Sequence, residues 1–125
     1  MTVVESGRWR ERIVETWRVA QELDRALVRG HGITLSEFLV LTALDRAGTR
    51  LRSKDLAEAV ALSPSAVSRL LDRLERGGLV GRRADLRDRR AAVVRITDPG
   101  RRTVHAAAAT FDAHVAALQA PTPGP

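Results

Sequence analysis

Between Ser63 and Arg90 the 125-residue sequence sets short hydroxylated residues beside arginines at spacings that suit the edges and backbone of a polyanion rather than bond making. Ser65, Ala66, Ser68, Arg69, Asp72, Arg73 and Arg76 fall on one side of a segment whose other side is Val67, Leu70, Leu71 and Leu74. Read as a helix, the first side is small at its start and basic further along. That combination admits close approach and then offers guanidinium forks, which pair with guanine edges and with phosphates. Nine residues beyond Arg76, Asp85 to Arg90 (DLRDRR) form a charged tip that would be costly to bury and easy to lay on a phosphate backbone.

Charge distribution supports the same chemistry. Of 21 basic residues only Lys54 is a lysine. The stretch from Arg50 to Arg102 holds 14 basic and 7 acidic side chains, while the remainder of the chain carries a balance of −1 within a net charge of +6. Arginine bias in the source could account for Arg over Lys, but not for this segregation. Other chemistries lack their residues. There is no cysteine, so thiolate catalysis, disulfides and cysteine zinc sites are excluded. The three histidines, His31, His105 and His114, are scattered, and no H-E-x-x-H, phosphate loop or nucleophile elbow occurs. Asp85 and Asp88 sit among arginines, a setting for ion pairs rather than a metal. The chain is therefore read as a non-enzyme that needs no cofactor or metal. No apolar run approaches the roughly 18 residues of a membrane span and no signal peptide opens the chain, which places the protein in the cytoplasm with no membrane partner.

The elements that position these residues follow from periodicity. Trp9, Ile13, Trp17, Ala20, Leu23 and Leu27 step by three and four along a first helix ending near Gly30 and Gly32. Thr34 and Glu37 form a capping box for a second helix carrying Phe38, Leu41 and Leu44, which stops at Gly48. Ser53 is the expected N-cap of a short third helix that buries Leu56, Ala57 and Val60. Ser63-Pro64 starts the fourth helix and Gly77-Gly78 ends it. Leu79 to Ala84 and Ala91 to Thr97 read as two strands of a hairpin, with Ala92, Val94 and Ile96 on one face. Thr97-Asp98-Pro99 opens a last helix whose stripe of Val104, Ala108, Phe111, Val115 and Leu118 has the spacing of a helix-helix seam.

The fold class is thus mainly α with a small β-hairpin wing, a winged helix-turn-helix in the order α-α-α-α-β-β-α. Residues 1–33 form an N-terminal helix, 34–97 the winged core, 98–120 a C-terminal helix and 121–125 a flexible Pro-rich tail. Such a core lays an exposed helix and a charged ribbon on one side, which suits double-stranded DNA. The fourth helix would enter the major groove, with Ser65, Ala66, Ser68, Arg69 and Arg73 facing bases or phosphates. The helix starts at Ser53 and Ser63 would offer backbone N-H groups to phosphates, reinforced by Arg52 and Lys54. Arg87, Arg89 and Arg90 would reach the backbone or the adjoining minor groove.

The segment LRSKDLAEAVALSPSAVSRLLDRLERGGLVGRRADLRDRRAAVVRITDPGRR resembles the DNA-binding core of MarR-type regulators, closely from Leu51 to Arg102 and loosely in the flanking helices. The resemblance implies a homodimer on a pseudopalindromic site, usually acting as a repressor. It also implies that Ser65, Ser68, Arg69 and Arg73 lie in the major groove, and that Asp85 braces the wing so that Arg87 or Arg89 meets the minor groove. Family members usually carry a further C-terminal helix in the dimerisation domain, whereas here a Pro-rich tail follows Gln119. The dimer interface is therefore expected on Trp9, Ile13 and Trp17 of the first helix together with Val104, Ala108, Phe111, Val115 and Leu118 of the last. MarR-like proteins often bind small aromatic acids between the two parts, which points to a pocket near Trp17, His31, Phe38 and Arg46. Two alternatives stand beside this reading: a winged-helix module that binds protein, and a protein that binds DNA without sequence preference. The first usually lacks positive charge on the fourth helix and wing.

Overall fold

The computed structural model describes residues 2–48, 50–87 and 92–119. Its elements run α1 (Val3–His31), α2 (Leu35–Arg46), β1 (Arg50–Arg52), α3 (Ser53–Val60), α4 (Pro64–Arg76), β2 (Val80–Ala84), β3 (Ala92–Ile96) and α5 (Asp98–Gln119). The Pro-rich tail and the tip residues Asp88 to Ala91 lie outside the described residues.

Local chemistry sets most of the helix ends. Thr2 and Glu5 exchange side-chain and backbone hydrogen bonds at the start of α1, and Thr34 and Glu37 do the same for α2. Gly32 closes α1 in the left-handed region at φ 70°. The start of α2 has a second acceptor, Asp24 Oδ1 of α1, which takes the Leu35 N-H at 2.8 Å. That bond fixes the angle at which α2 leaves α1. At the start of α4 the Ser63 hydroxyl accepts the Ala66 N-H at 3.2 Å, with Pro64 at the first helical position.

Two expectations are corrected here. Ser53 is not the N-cap of α3 but its first helical residue; Arg52 holds the cap position in extended backbone and makes no side-chain capping bond. The cause is the second difference, a strand absent from the expected order. Arg50 to Arg52 pair antiparallel with Arg95 to Val93, so the sheet has three strands in the order β1-β3-β2. Extended backbone therefore runs through Arg52, and the helix begins one residue later than a serine cap would require. Three residues are too few to display an alternating pattern, so the strand exists through its partner rather than its own sequence.

The core lies where α2, α4, α5 and the inner sheet face converge. Leu27, Leu41, Leu44, Leu56, Leu71, Leu74, Val40, Val67 and Val94 are its largest fully buried side chains. Val94 and Ile96 of β3 face inward, as the period of two requires. Ring centroids of Phe38 in α2 and Phe111 in α5 stack 4.9 Å apart. Polar ties hold α5 in place. Thr110 Oγ1 lies 2.7 Å from His31 Nε2 of α1, and Asp45 of α2 meets both His105 and Arg101. His31 thus sits in the last turn of α1 and also links it to α5.

Candidate nucleic-acid interface

The inward stripe of α4, namely Val67, Leu70, Leu71 and Leu74, is buried to the last residue. Burial of that stripe turns the opposite side outward. Ser65, Ser68, Arg69, Asp72, Arg73 and Arg76 are exposed, and Ala66 is half-buried. Arg69, Arg73 and Arg76 make no ion pair among the described residues, so their guanidinium groups are available to a partner. With Ser36, Leu62, Ala66, Leu70 and Asp72 they line an open groove of about 490 Å³ along one flank of the helix.

On the other flank the helix start meets the start of α3 and the wing. Ser53, Lys54, Pro64, Ser68, Leu71, Arg82 and Ala92 line one recess of about 340 Å³. Ser53, Lys54 and Ser68, far apart in sequence, are thereby brought to one place. Ser63 and Ser65 lie together at the α4 start, their hydroxyl oxygens 3.3 Å apart.

The wing is fixed by two carboxylate-arginine contacts. Asp85 Oδ1 accepts the Arg87 N-H at 2.9 Å, and Asp85 Oδ2 lies 3.2 Å from Arg52 Nη2. Asp85 thus holds the wing base in a turn and ties it to β1. Arg52, expected to reinforce the α3 start, faces this carboxylate. Arg87 is exposed. Arg89 and Arg90 lie outside the described residues.

Arg82 is a residue that the motifs and periodicity did not single out. Its guanidinium reaches from β2 to two carboxylates of α4, Asp72 and Glu75, with Glu75 Oε1 at 2.9 Å. The two hydrogen-bonded carboxylates raise its pKa further above the ordinary arginine value. This residue is a strut between helix and wing, with its side chain only 24% exposed. A signal was present in sequence: Asp72 and Glu75 stand three apart on the α4 side that the returning strand must pass.

The expected ligand pocket does not come together within one chain: Trp17 and His31 are 14 residues apart on one continuous helix, a rise of about 21 Å. Trp17 is exposed, Phe38 is buried in the core against Phe111, and Arg46 is exposed at the end of α2. The expected dimer surface divides. Trp9, Ile13 and Trp17 stand exposed on α1, and Leu118 is exposed near the end of α5. Ala108, Phe111 and Val115 are half-buried. Val104, by contrast, is 3% exposed inside this chain's own core and is unavailable to a second copy.

Helices α3 and α4 joined through a tight turn, with α4 outward and a three-stranded sheet beside it, make this a winged helix-turn-helix protein. Residues 31–91, just under half of the chain, match the model of the MarR family. The HTH-type transcriptional repressor MdtR of Bacillus subtilis (strain 168) is 36% identical over 69 residues, which is 55% of this chain and 44% of that protein. The chain thus spans less than half the length of that relative. Among solved structures, Sco3205, a MarR family transcriptional regulator from Streptomyces coelicolor in complex with DNA, superposes with a TM-score of 0.85 at 28% identity, covering 98% of this chain and 79% of that one. The transcriptional regulator BldR from Sulfolobus solfataricus gives 0.84 at 25% identity, covering 99% and 89%.

Proposed function

We propose that this protein is a transcriptional regulator that binds double-stranded DNA in a sequence-specific way, as a homodimer on a pseudopalindromic site, and represses the genes beside it. The carrying observation is the outward side of α4: exposed Ser65, Ser68, Arg69 and Arg73, with neither arginine engaged by a carboxylate among the described residues. A helix of this width and polarity fits a major groove about 12 Å wide, where Arg69 would meet guanine and Ser65 would allow close approach. The recess beside Ser53, Lys54 and Ser68 suits a phosphate, and Arg87, Arg89 and Arg90 follow the backbone or minor groove. Repression takes support from MdtR, itself named a repressor.

Dimerisation takes support from α1. At 29 residues it is about 43 Å long, yet only Leu23 and Leu27 are buried in this chain. Its first half carries Trp9 at 56% and Trp17 at 64% exposure beside Ile13. Exposed tryptophans in a row are costly in water and fit a second copy.

The test is selection of bound sequences from randomised duplex DNA at near-physiological salt. Enrichment of an inverted repeat with half-sites about 34 to 36 Å apart supports the proposal. Uniform, salt-sensitive binding without enrichment refutes sequence specificity. Absence of binding leaves a protein-binding module as the better account.

A further inference from the structure

The outward face of the three-stranded sheet is separate from the side of α4 described above, and the register fixes what it displays. Arg50 of β1, Arg95 of β3 and Gly81 of β2 are aligned across the strands; one pleat on, Arg52, Val93 and Arg83 are aligned. Four of these six positions are arginine and none is acidic. Arg50 and Arg95 are direct cross-strand neighbours of like charge, an arrangement that weakens a sheet. Arg52 is engaged by Asp85, but Arg50, Arg83 and Arg95 make no ion pair among the described residues. Glu75, which also lines this face, is already held by Arg82.

Gly81 gives the row its form. The Arg95 guanidinium lies across β2 where a Gly81 side chain would stand, its Nε 3.2 Å and its Nη2 3.3 Å from that Cβ position. Arg95 is therefore laid over the sheet towards the groove it shares with Arg50 and Arg83. That groove continues into a second one of about 750 Å³, lined by Arg52, Lys54, Asp55, Asp85 and Arg87 as well as Arg50 and Arg83. Five basic side chains face two acids there, one of which, Asp85, is already engaged by Arg52, so the positive excess extends from the sheet face to the α3 start and the wing base.

We infer that this sheet face is a second phosphate-binding surface, and that it takes the backbone of duplex DNA flanking the site read by α4. The inference rests on the DNA-binding reading above. Charge complementarity names a polyanion, and continuity with Lys54 and Arg87 names the DNA that is already docked. Contacts of this kind read no sequence; they lengthen the footprint and add to the salt dependence.

The experiment compares two duplexes: the inverted repeat selected above, trimmed to its ends, and the same repeat with about ten extra base pairs on each side, roughly one helical turn. The wild-type chain should bind the longer duplex more tightly and with a steeper salt dependence. Arg50→Gln/Arg83→Gln/Arg95→Gln should bind both duplexes alike, with the salt slope on the longer one reduced by about five, since the dimer loses three arginines from each subunit. Gly81→Glu, which offers Arg95 a carboxylate without removing any arginine, should lose part of the length effect. Thermal unfolding checks that both variants stay folded; loss of like-charge repulsion should not destabilise the sheet. If the wild type gains nothing from the longer duplex, or the triple variant loses equally on both, the sheet face does not hold flanking DNA although the α4 reading stands. If the wild type binds neither duplex, both readings fail together.

Discussion

Gly100 occupies a place where even a methyl group has no room, and substituting alanine there tests the packing that joins α5 to the wing. The residue is buried in the first turn of α5. A Cβ on it would stand 2.1 Å from the Leu79 carbonyl oxygen, 2.9 Å from Ile96 Cγ1 and 3.0 Å from the Leu79 carbonyl carbon. Ordinary contact needs about an ångström more, and the obstructing oxygen cannot swing aside, because it accepts the Thr97 N-H at 3.0 Å. Relief requires α5 to move away from Leu79, which disturbs that bond and the hydroxyl bonds of Thr97 to Gly78 and Gly100. Overpacking a core typically costs 1 to 3 kcal/mol, and a backbone obstruction places Gly100→Ala near the upper end, about 3 kcal/mol. For a chain of 125 residues the unfolding entropy is about 0.26 kcal/mol/K, so the melting temperature should fall by about 11 °C. Gly30→Ala is the internal control. It lies near the end of α1 with nothing within 4 Å of the new Cβ, and should raise stability by about 0.5 to 1 kcal/mol, or 2 to 4 °C. Both are measured by thermal unfolding at one protein concentration, since self-association would shift the midpoint. An unchanged midpoint for Gly100→Ala, or equal losses for both variants, would refute the account of this junction.

Three further outcomes follow from the interface. Arg69→Ala should cost about 1 to 3 kcal/mol on the selected site and relax preference at one base position; unchanged discrimination among site variants removes Arg69 from base readout. Arg82→Gln should cost about 1 kcal/mol or less in stability, because its partners Asp72 and Glu75 are roughly half exposed, yet it should weaken DNA binding by leaving two uncompensated carboxylates beside the wing. Adding Asp72→Asn in that background should restore part of the affinity, and a cycle with no coupling in the two backgrounds speaks against the strut. Trp9→Glu/Trp17→Glu alters two exposed side chains and should shift sedimentation from dimer to monomer without loss of helicity; a dimer that persists at the same concentration moves the interface elsewhere.

What was legible in the sequence was what is local. The capping boxes at Thr34 and Glu37, the Ser63-Pro64 start and the buried stripe of α4 each depend on residues within a turn or two, and periodicity displays them directly. What escaped depends on contacts across the chain. Strand β1 is three residues whose pairing is supplied by β3. Asp24 caps a helix 11 positions later. Gly100 has no sequence mark of its own, since its meaning comes from the Leu79 carbonyl. The separation of Trp17 and His31 within one chain is a different case: the distance along one helix was already calculable from the sequence. Val104 was assigned to a seam between chains although a period of three and four cannot distinguish a seam from a core.

The arginines of the winged core divide by what the acids near them do, and this division decides how the net charge should be used. Arg52 and Arg82 face Asp85, Asp72 and Glu75, so three carboxylates that would repel a duplex are engaged and two arginines become struts. Those struts set the wing against α4 on one side and against β1 on the other. A base-reading helix and a phosphate-following wing gain specificity only if their relative position is held, because a loose wing would find phosphates at any register. Arg69 and Arg73, by contrast, have no carboxylate partner among the described residues and would be free to meet DNA in the proposed complex. The excess charge in this region is therefore not a count of contacts. Part of it is spent within the fold on holding the reading surface in one shape, and only the remainder can appear in the salt dependence of binding.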